Sequence, residues 1–309
     1  MNEVDHFKSI YENKWGMDRM NIQLVARIHE KMPGFSKGQK RIAQYIEEHY
    51  DKVAFMTASK LGATVGVSES TVVRFATEIG YSGYPELQKA MQEMIRSRLT
   101  SVQRLEITSQ NLETSQLLGA VLNQDIDIIR RTIEETSHEE FYHAVDAIVD
   151  TRKVYILGAR SSHALATFMS YYFNLIFENV QLVNCTSEAE IFEQMVNVGP
   201  EDAVIGISFP RYSKKVVKAL HLASDRKAKV IAITDSPLSP LAEAAQYVLR
   251  ARSDMASFVD SLVAPLSLIN AFIVTIAIKK KEVVGENLRR LEEIWDRYGV
   301  YEKVDEEQA

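Results

Sequence analysis

Apolar residues in the first third of the chain recur at helical spacing. Ile22, Val25, Ile28 and His29 share one face of a short helix that stops at Pro33–Gly34. Ser36 reads as an N-cap, and Gln39, three residues on, completes a capping box. Ile42, Tyr45 and Ile46 give this second helix its stripe. Thr57 caps a third helix, with Leu61 inward. Gly66–Val67 makes a tight turn, Ser68 caps a fourth helix running through Ile79, and Gly80 ends it. Pro85, in a first turn, opens a fifth helix carrying Leu87, Met91, Met94 and Ile95.

The rhythm then lapses. Residues 99–115 are rich in Ser, Thr, Gln and Asn and read as a linker or an exposed helix. A helix follows with Leu118, Val121, Leu122, Ile126, Ile129 and Ile133 on one side. After Asp150 short β-branched runs alternate with helical segments. The runs are Val154–Leu157, Val180–Val183, Val204–Ile207, Val230–Ile233 and Tyr247–Leu249. The helices fall near 162–178, 187–197, 214–226 and 238–246. A long apolar helix, about 257–280, closes this part, and a charged tail carries Leu288, Leu291, Ile294 and Trp295 at helical spacing. Apolar strands separated by helices mean a parallel sheet covered on both faces. The fold class is therefore α followed by α/β: an all-helical domain, then a five-stranded parallel αβα sandwich. The expected boundaries are an extension (1–20), a helical domain (21–98), a linker helix (99–129), the sandwich (130–280) and a helical tail (281–309). Met20, just ahead of the first periodic segment, is an alternative start.

Composition narrows the classes. With 46% hydrophobic and 25% charged residues in 309, the chain is an ordinary globular protein. Its single cysteine, Cys185, excludes an internal disulfide and any multi-cysteine metal site, which fits a reducing, cytoplasmic setting. No leader pattern is visible in residues 1–20. The run Leu262–Ile278, interrupted by Pro265, Ser267, Asn270 and Thr275, is shorter than the ~20 residues that span a bilayer and reads as a core helix. No membrane partner is expected. The net charge of −6 hides an asymmetry: residues 21–98 hold 11 Lys and Arg against 8 Asp and Glu, while residues 99–309 hold 22 against 30. The helical domain alone has the sign that suits nucleic acid.

The stretch Thr57–Gly80 carries most of the chemistry. A short helix, a glycine-bearing turn and a capped second helix fit the helix-turn-helix unit. Ala58, Leu61, Val67, Val72, Val73 and Phe75 form its expected inner face, with Ile79 also inward. Ser68, Glu69, Ser70, Thr71 and Arg74 are left facing outward, where such a helix meets base edges in the major groove. Hydroxyls there donate to phosphate or base, and Arg74 reaches a guanine edge or a phosphate. Lys37, Lys40, Arg41 and Lys60 are candidate phosphate contacts. The same geometry occurs in helical bundles that never touch DNA.

Two strand ends carry the rest. In doubly wound sheets ligands sit at the carboxyl ends of strands, at a switch in strand order. Gly158-Ala-Arg160-Ser161-Ser162 follows the first strand. Ser208-Phe-Pro210-Arg211-Tyr212-Ser213 follows the third. Each places hydroxyls and an arginine at a helix start, where backbone amides favour an anion. Gly206-Ile-Ser208-Phe-Pro210 lacks the final glycine of a nucleophile elbow. His138 and His143 are five apart, so they do not face one metal from a helix. Cys185 reads as a half-buried small residue. No cofactor or metal is called for.

Phe35-Ser36, Thr57-Ala-Ser-Lys-Leu-Gly, Val67-Ser-Glu-Ser-Thr-Val-Val-Arg-Phe and Ile79-Gly-Tyr-Ser-Gly-Tyr resemble the N-terminal domain of the RpiR (MurR/RpiR) transcriptional regulators, from about Ile22 to Met94. Residues from about 130 to 280 resemble the SIS (sugar isomerase) domain that usually follows it, including Thr234-Asp-Ser-Pro-Leu-Ser-Pro-Leu-Ala after the fourth strand. The resemblance implies that Ser68, Ser70, Thr71 and Arg74 lie on a DNA-reading helix. It also implies that Ser161 or Ser162, with Ser208 and Ser213, bind the phosphate of a sugar. The chain departs from the common second loop, Ser-x-Ser-Gly-x-Thr. Pro210 removes a backbone donor, Tyr212 adds bulk, and Arg211 offers a direct anion partner.

The reading is a DNA-binding transcriptional regulator, a repressor in preference to an activator, and not an enzyme. Its partners are a double-stranded operator, a small phosphosugar or related anionic metabolite, and further copies of itself as dimer or tetramer. One alternative is a sugar-phosphate isomerase with an accessory helical domain, with Glu188, Glu190 or His163 near the sugar; His163 equally suits a helix cap. Another is a regulatory protein that acts on an enzyme without touching DNA.

Overall fold

The computed structural model describes residues 24, 27–95, 100–102, 104–105, 115, 117–254 and 258–302. The extension 1–20, Ile22, Val25 and most of 99–115 lie outside them, as do the side chains of Met94 and Ile95. The chain divides into two compact units, 1–111 and 112–309.

In the first unit residues 27–31 are helical and end in a 3-10 turn at Met32–Gly34. Then come α1 (Lys37–Val53), α2 (Ala58–Val65), α3 (Glu69–Glu78) and α4 (Tyr84–Ile95). Local chemistry sets these starts. The Ser36 N–H donates to Gln39 Oε1 at 2.9 Å while Ser36 Oγ accepts from the Gln39 N–H, closing the capping box. Gln39 also donates its amide to the Glu78 carboxylate, tying α1 to the end of α3. Thr57 and Ser68 cap α2 and α3. The core is Ile28, Phe35, Ile42, Ile46, Leu61, Val72, Phe75, Ala76, Ile79, Leu87 and Met91, all buried. Tyr84 closes it from α4, donating its hydroxyl to the Met56 carbonyl at 2.8 Å. One inward residue is corrected: Val73 is 40% exposed, and Ala76 takes the inner place. Positions 72, 75, 76 and 79 share a face at helical spacing, and 73 lies one step around from it.

The second unit has α5 (Leu117–Glu135), α6 (His138–Val149), β1 (Lys153–Gly158), α7 (Ser162–Ile176), β2 (Val180–Leu182), α8 (Glu188–Gln194), β3 (Asp202–Ile207), α9 (Lys214–Asp225), β4 (Lys229–Thr234), β5 (Tyr247–Arg250), α10 (Val263–Lys279) and α11 (Lys281–Tyr298). The five strands form one parallel sheet in the order β2-β1-β3-β4-β5. Strand side chains alternate between faces. Val154, Ile156, Ile205, Ile207, Ile231 and Ile233 pack with α6, α7 and α10 on one side. Tyr155, Leu157, Val204, Val230 and Ala232 pack with α8 and α9 on the other. At the base of the sheet Arg152 clamps the fully buried Asp202 carboxylate with bonds of 2.9 and 2.7 Å.

Two expectations are corrected. Residues 238–246 form turns, not a helix. Pro237 and Pro240 supply no N–H, the bonds made there are short-range, such as Ala242 N to Ser239 O, and the Gln246 N–H already bonds Val230 O to begin the last strand. The closing helix starts at Val263, after irregular residues 258–262. Among the described residues no single helix is long and apolar enough to cross a membrane. α10 and α11 together have the length and composition, but they meet at a 99° bend, and α10 buries Leu268, Ile269, Phe272, Ile273 and Ile276 against the sheet.

Helix α5 is amphipathic in an unusual sense. Its apolar residues Leu118 (76% exposed), Leu122, Ile126 and Ile133 (65%) face solvent. Its polar residues hold it to the unit: Thr132 Oγ1 accepts from the Arg252 N–H at 3.0 Å, Asp125 accepts from the Ser261 hydroxyl at 2.6 Å, and Glu135 pairs with Arg250 at 3.1 Å.

Candidate functional site

The helix-turn-helix is built by α2, the turn at Gly66 (φ 71°) and α3. Arg41 of α1 donates to the Gly66 carbonyl at 2.9 Å, so this arginine braces the turn from behind. The start of α1 also touches α3: a Cβ on Gly38 would lie 3.2 Å from Val67 and 3.5 Å from Thr71. That contact places Lys37 and Lys40, both exposed, beside the first turn of α3. Lys60 is exposed on the first turn of α2.

At the start of α3, Ser68 Oγ accepts from the Thr71 N–H at 3.3 Å and shares hydrogen bonds with the Ser70 and Thr71 hydroxyls at 2.9 and 2.8 Å. The Ser68 hydroxyl is thus a cap first, and Ser70 and Thr71 complete a small polar network around it. Glu69, in the first turn, complements the positive end of the helix. Arg74 donates Nε to the Ser70 carbonyl at 3.3 Å and is exposed. The outer face of α3 thus carries Glu69, Ser70, Val73, Arg74 and Thr77.

The second site lies where strand order reverses, between β1 and β3. α7 follows β1 on one face of the sheet and α9 follows β3 on the other, so their first turns flank this crevice. Gly158 lets α7 start close to the strand: a Cβ there would sit 2.5 Å from the Ser162 carbonyl oxygen. Ser161, the residue before α7, already has helical angles (φ −59°, ψ −34°), so its exposed hydroxyl makes no side-chain cap bond; Ser162 is buried. Ser213, the N-cap of α9, likewise makes no side-chain cap bond. The other Ser and Thr N-caps described, Ser36, Thr57, Ser68, Ser137 and Ser187, all spend their oxygens on capping. Ser208 is buried and its Oγ accepts from the Ser213 N–H at 3.1 Å, which closes the loop after β3. Tyr212 Oη bonds Asp235 Oδ1 at 2.8 Å, linking that loop to the one after β4.

Arg160 and Arg211 are both exposed and both left-handed, at φ 58° and 67°. The other non-glycine residue with positive φ among the described residues, Lys227, follows the C-cap of α9, a routine place for that conformation. Lys215 is turned to the Cys185 and Thr186 carbonyls. Cys185 is half-buried, and burial pushes its thiol pKa up. Glu188 pairs with Lys218 at 2.6 Å and Glu190 accepts from Asn184 at 2.8 Å. His163 is exposed on the first turn of α7, its N–H on the Arg160 carbonyl. Sequence reasoning missed the uncommitted caps, because whether a serine uses its own oxygen depends on the turn geometry around it.

The family models agree with this division. A helix-turn-helix domain of the rpiR family matches residues 22–98, and a SIS domain matches residues 147–275. An uncharacterized HTH-type transcriptional regulator of Caldanaerobacter subterraneus subsp. tengcongensis is 27% identical over 88% of this chain and 96% of its own. The sugar isomerase domain of an RpiR transcription factor from Sphaerobacter thermophilus is 29% identical, with a TM-score of 0.54, over 58% of this chain and all but 1% of that one (99% covered). The Vibrio vulnificus NanR protein, solved with ManNAc-6P, shares the fold at 20% identity and a TM-score of 0.55 over 89% of this chain and 98% of its own. With its amino-terminal helices in the first model and its parallel sheet in the second, the chain carries a helix-turn-helix domain of the rpiR family followed by a SIS domain.

Proposed function

We propose that this chain is an operator-binding repressor released or retained by a phosphorylated sugar-like metabolite held at the β1/β3 crevice. The observation that carries the metabolite site is the pair of serine N-caps, Ser161 and Ser213, whose hydroxyls are withheld from their own helices. Two helix N-termini with free hydroxyls and flanking arginines form an anion cradle. Ser161, Ser162, Ser208 and Ser213 contact the phosphate, and Arg160 and Arg211 add charge. The ManNAc-6P bound to NanR supports a phosphosugar as the ligand class. On the DNA side Lys37, Lys40 and Lys60 contact phosphates, and Ser68, Glu69, Ser70, Thr71 and Arg74 present the reading surface.

Self-association completes the proposal. Helix-turn-helix readers pair half-sites about one helical turn apart, which calls for two copies. The outward stripe of α5 continues into an apolar groove lined by Ile129, Ile133, Phe141, Tyr142 and Leu268. A two-fold contact would bury this stripe against its own copy. Of the residues the isomerase alternative would use, Glu188 and Glu190 are held by Lys218 and Asn184, while His163 stands exposed on the first turn of α7.

The test is selection of genomic DNA fragments by the purified full chain, with and without ManNAc-6P and other phosphosugars. A discrete enriched set whose recovery changes with one phosphosugar is the expected result. Affinity for every duplex alike, unmoved by any metabolite, would overturn the proposal.

A further inference from the structure

Val73 is the only apolar residue on the exposed face of α3, set among Glu69, Ser70, Arg74 and Thr77. Its polar neighbours partly satisfy themselves. Arg74 Nε bonds the Ser70 carbonyl, and Thr77 Oγ1 donates to the Val73 carbonyl at 3.1 Å. The two methyls of Val73 have no such recourse and remain 40% exposed. A lone exposed valine is ordinary on a protein surface. This one lies on the surface assigned above to the major groove, one residue from Arg74. There a single base offers an apolar group: thymine, through its C5-methyl.

We infer that Val73 is a specificity-determining residue that packs on the C5-methyl of one thymine in each operator half-site. This rests on the DNA-binding reading of α3 proposed above. A polar base edge would strip water from the valine without return, whereas a methyl group gives mutual burial. Val73 would then discriminate at one base pair, beside the pair or phosphate contacted by Arg74.

The experiment starts from the duplex selected by the full-length protein out of a random library. Each thymine is replaced in turn by deoxyuridine, which removes only the methyl. The wild type should lose about fourfold in affinity at one thymine per half-site, the worth of one buried methyl-sized group. Val73→Ala should bind more weakly and be indifferent to deoxyuridine at that thymine while keeping the penalties elsewhere. Val73→Ser, which carries no methyl group, serves the same cycle should the alanine variant lose its helical circular dichroism. A wild type insensitive to every deoxyuridine, or a variant that keeps the full penalty at the same thymine, would overturn the inference and leave α3 as the DNA-binding helix. Failure to select any sequence would instead overturn the DNA-binding reading, and this inference with it.

Discussion

Gly62 of α2 lies so close to the Val67 carbonyl that a Cβ built on it would sit 2.7 Å from that oxygen, while the Gly62 carbonyl accepts the Val67 N–H at 2.8 Å. The turn of the helix-turn-helix is wound directly onto this glycine. Gly62→Ala must push the turn away and should cost about 1–3 kcal/mol, as overpacking does. Gly119, in exposed surroundings on α5 with nothing within 4 Å of a Cβ, is the control. Gly119→Ala should stabilise by up to ~1 kcal/mol. Thermal and urea unfolding of the two variants would check both signs.

Arg74→Ala should weaken specific DNA binding by ~1–3 kcal/mol and relax preference at one position if the guanidinium reads a base. Lys37→Ala should weaken all sequences about equally and lower the salt slope by roughly one. Titrations at several salt concentrations distinguish the two. An unchanged sequence preference in the arginine variant rules out base reading by Arg74.

Arg211 holds a backbone conformation that costs a residue with a Cβ ~1–2 kcal/mol. Arg211→Gly should therefore leave the fold as stable or up to about 1 kcal/mol more so, while weakening whichever phosphosugar alters DNA recovery about tenfold through loss of a charged hydrogen bond. Calorimetric titration and thermal unfolding on the same sample give both readouts. Unaltered affinity would remove Arg211 from the site.

A charge in the middle of the α5 stripe should separate the copies. Ile126 is exposed in the single chain, so Ile126→Asp should not unfold it, yet it should convert the proposed dimer to monomer in analytical ultracentrifugation. A variant sedimenting as the wild type would place the interface elsewhere.

Burial raises the Cys185 pKa, so the neutral thiol dominates at pH 7 and the reactive thiolate grows as pH rises. Alkylation by iodoacetamide should be slower than for a free thiol and should climb about tenfold per pH unit from pH 7 to 8. A rate already level at pH 7 would mean a depressed pKa and contradict the burial argument.

Much of the fold was legible because its determinants are local. Ser36 with Gln39, Thr57 and Ser68 announce helix starts through the bonds they make to their own backbone. The buried runs at β1, β3 and β4 announce a covered parallel sheet. Where the determinants are tertiary, sequence reasoning reached its limit. Val73 reads as inward by its apolar side chain alone, whereas the 72-75-76-79 spacing sets it to one side of the buried face. The alternation of apolar runs and helices predicts a helix at 238–246 as well, where the structure has turns. The direction of the α5 stripe depends on Thr132, Asp125 and Glu135 finding partners more than 100 residues away, such as Arg252, Ser261 and Arg250. The candidate anion site was legible as two serine-bearing loops, but the unused caps and the left-handed arginines emerged only in three dimensions.

Because every strand runs the same way, the loops carrying Arg160, Cys185, Arg211 and Asp235 all open on one rim of the sheet, while the packed interior lies beneath. Arg160 and Arg211 are exposed there and support nothing in that interior. A lineage can therefore retune which compound it answers to by rewriting a few rim residues, with the scaffold inherited intact. Diversification of response in such proteins is then limited by the chemistry of the rim and hardly at all by the stability of what it stands on.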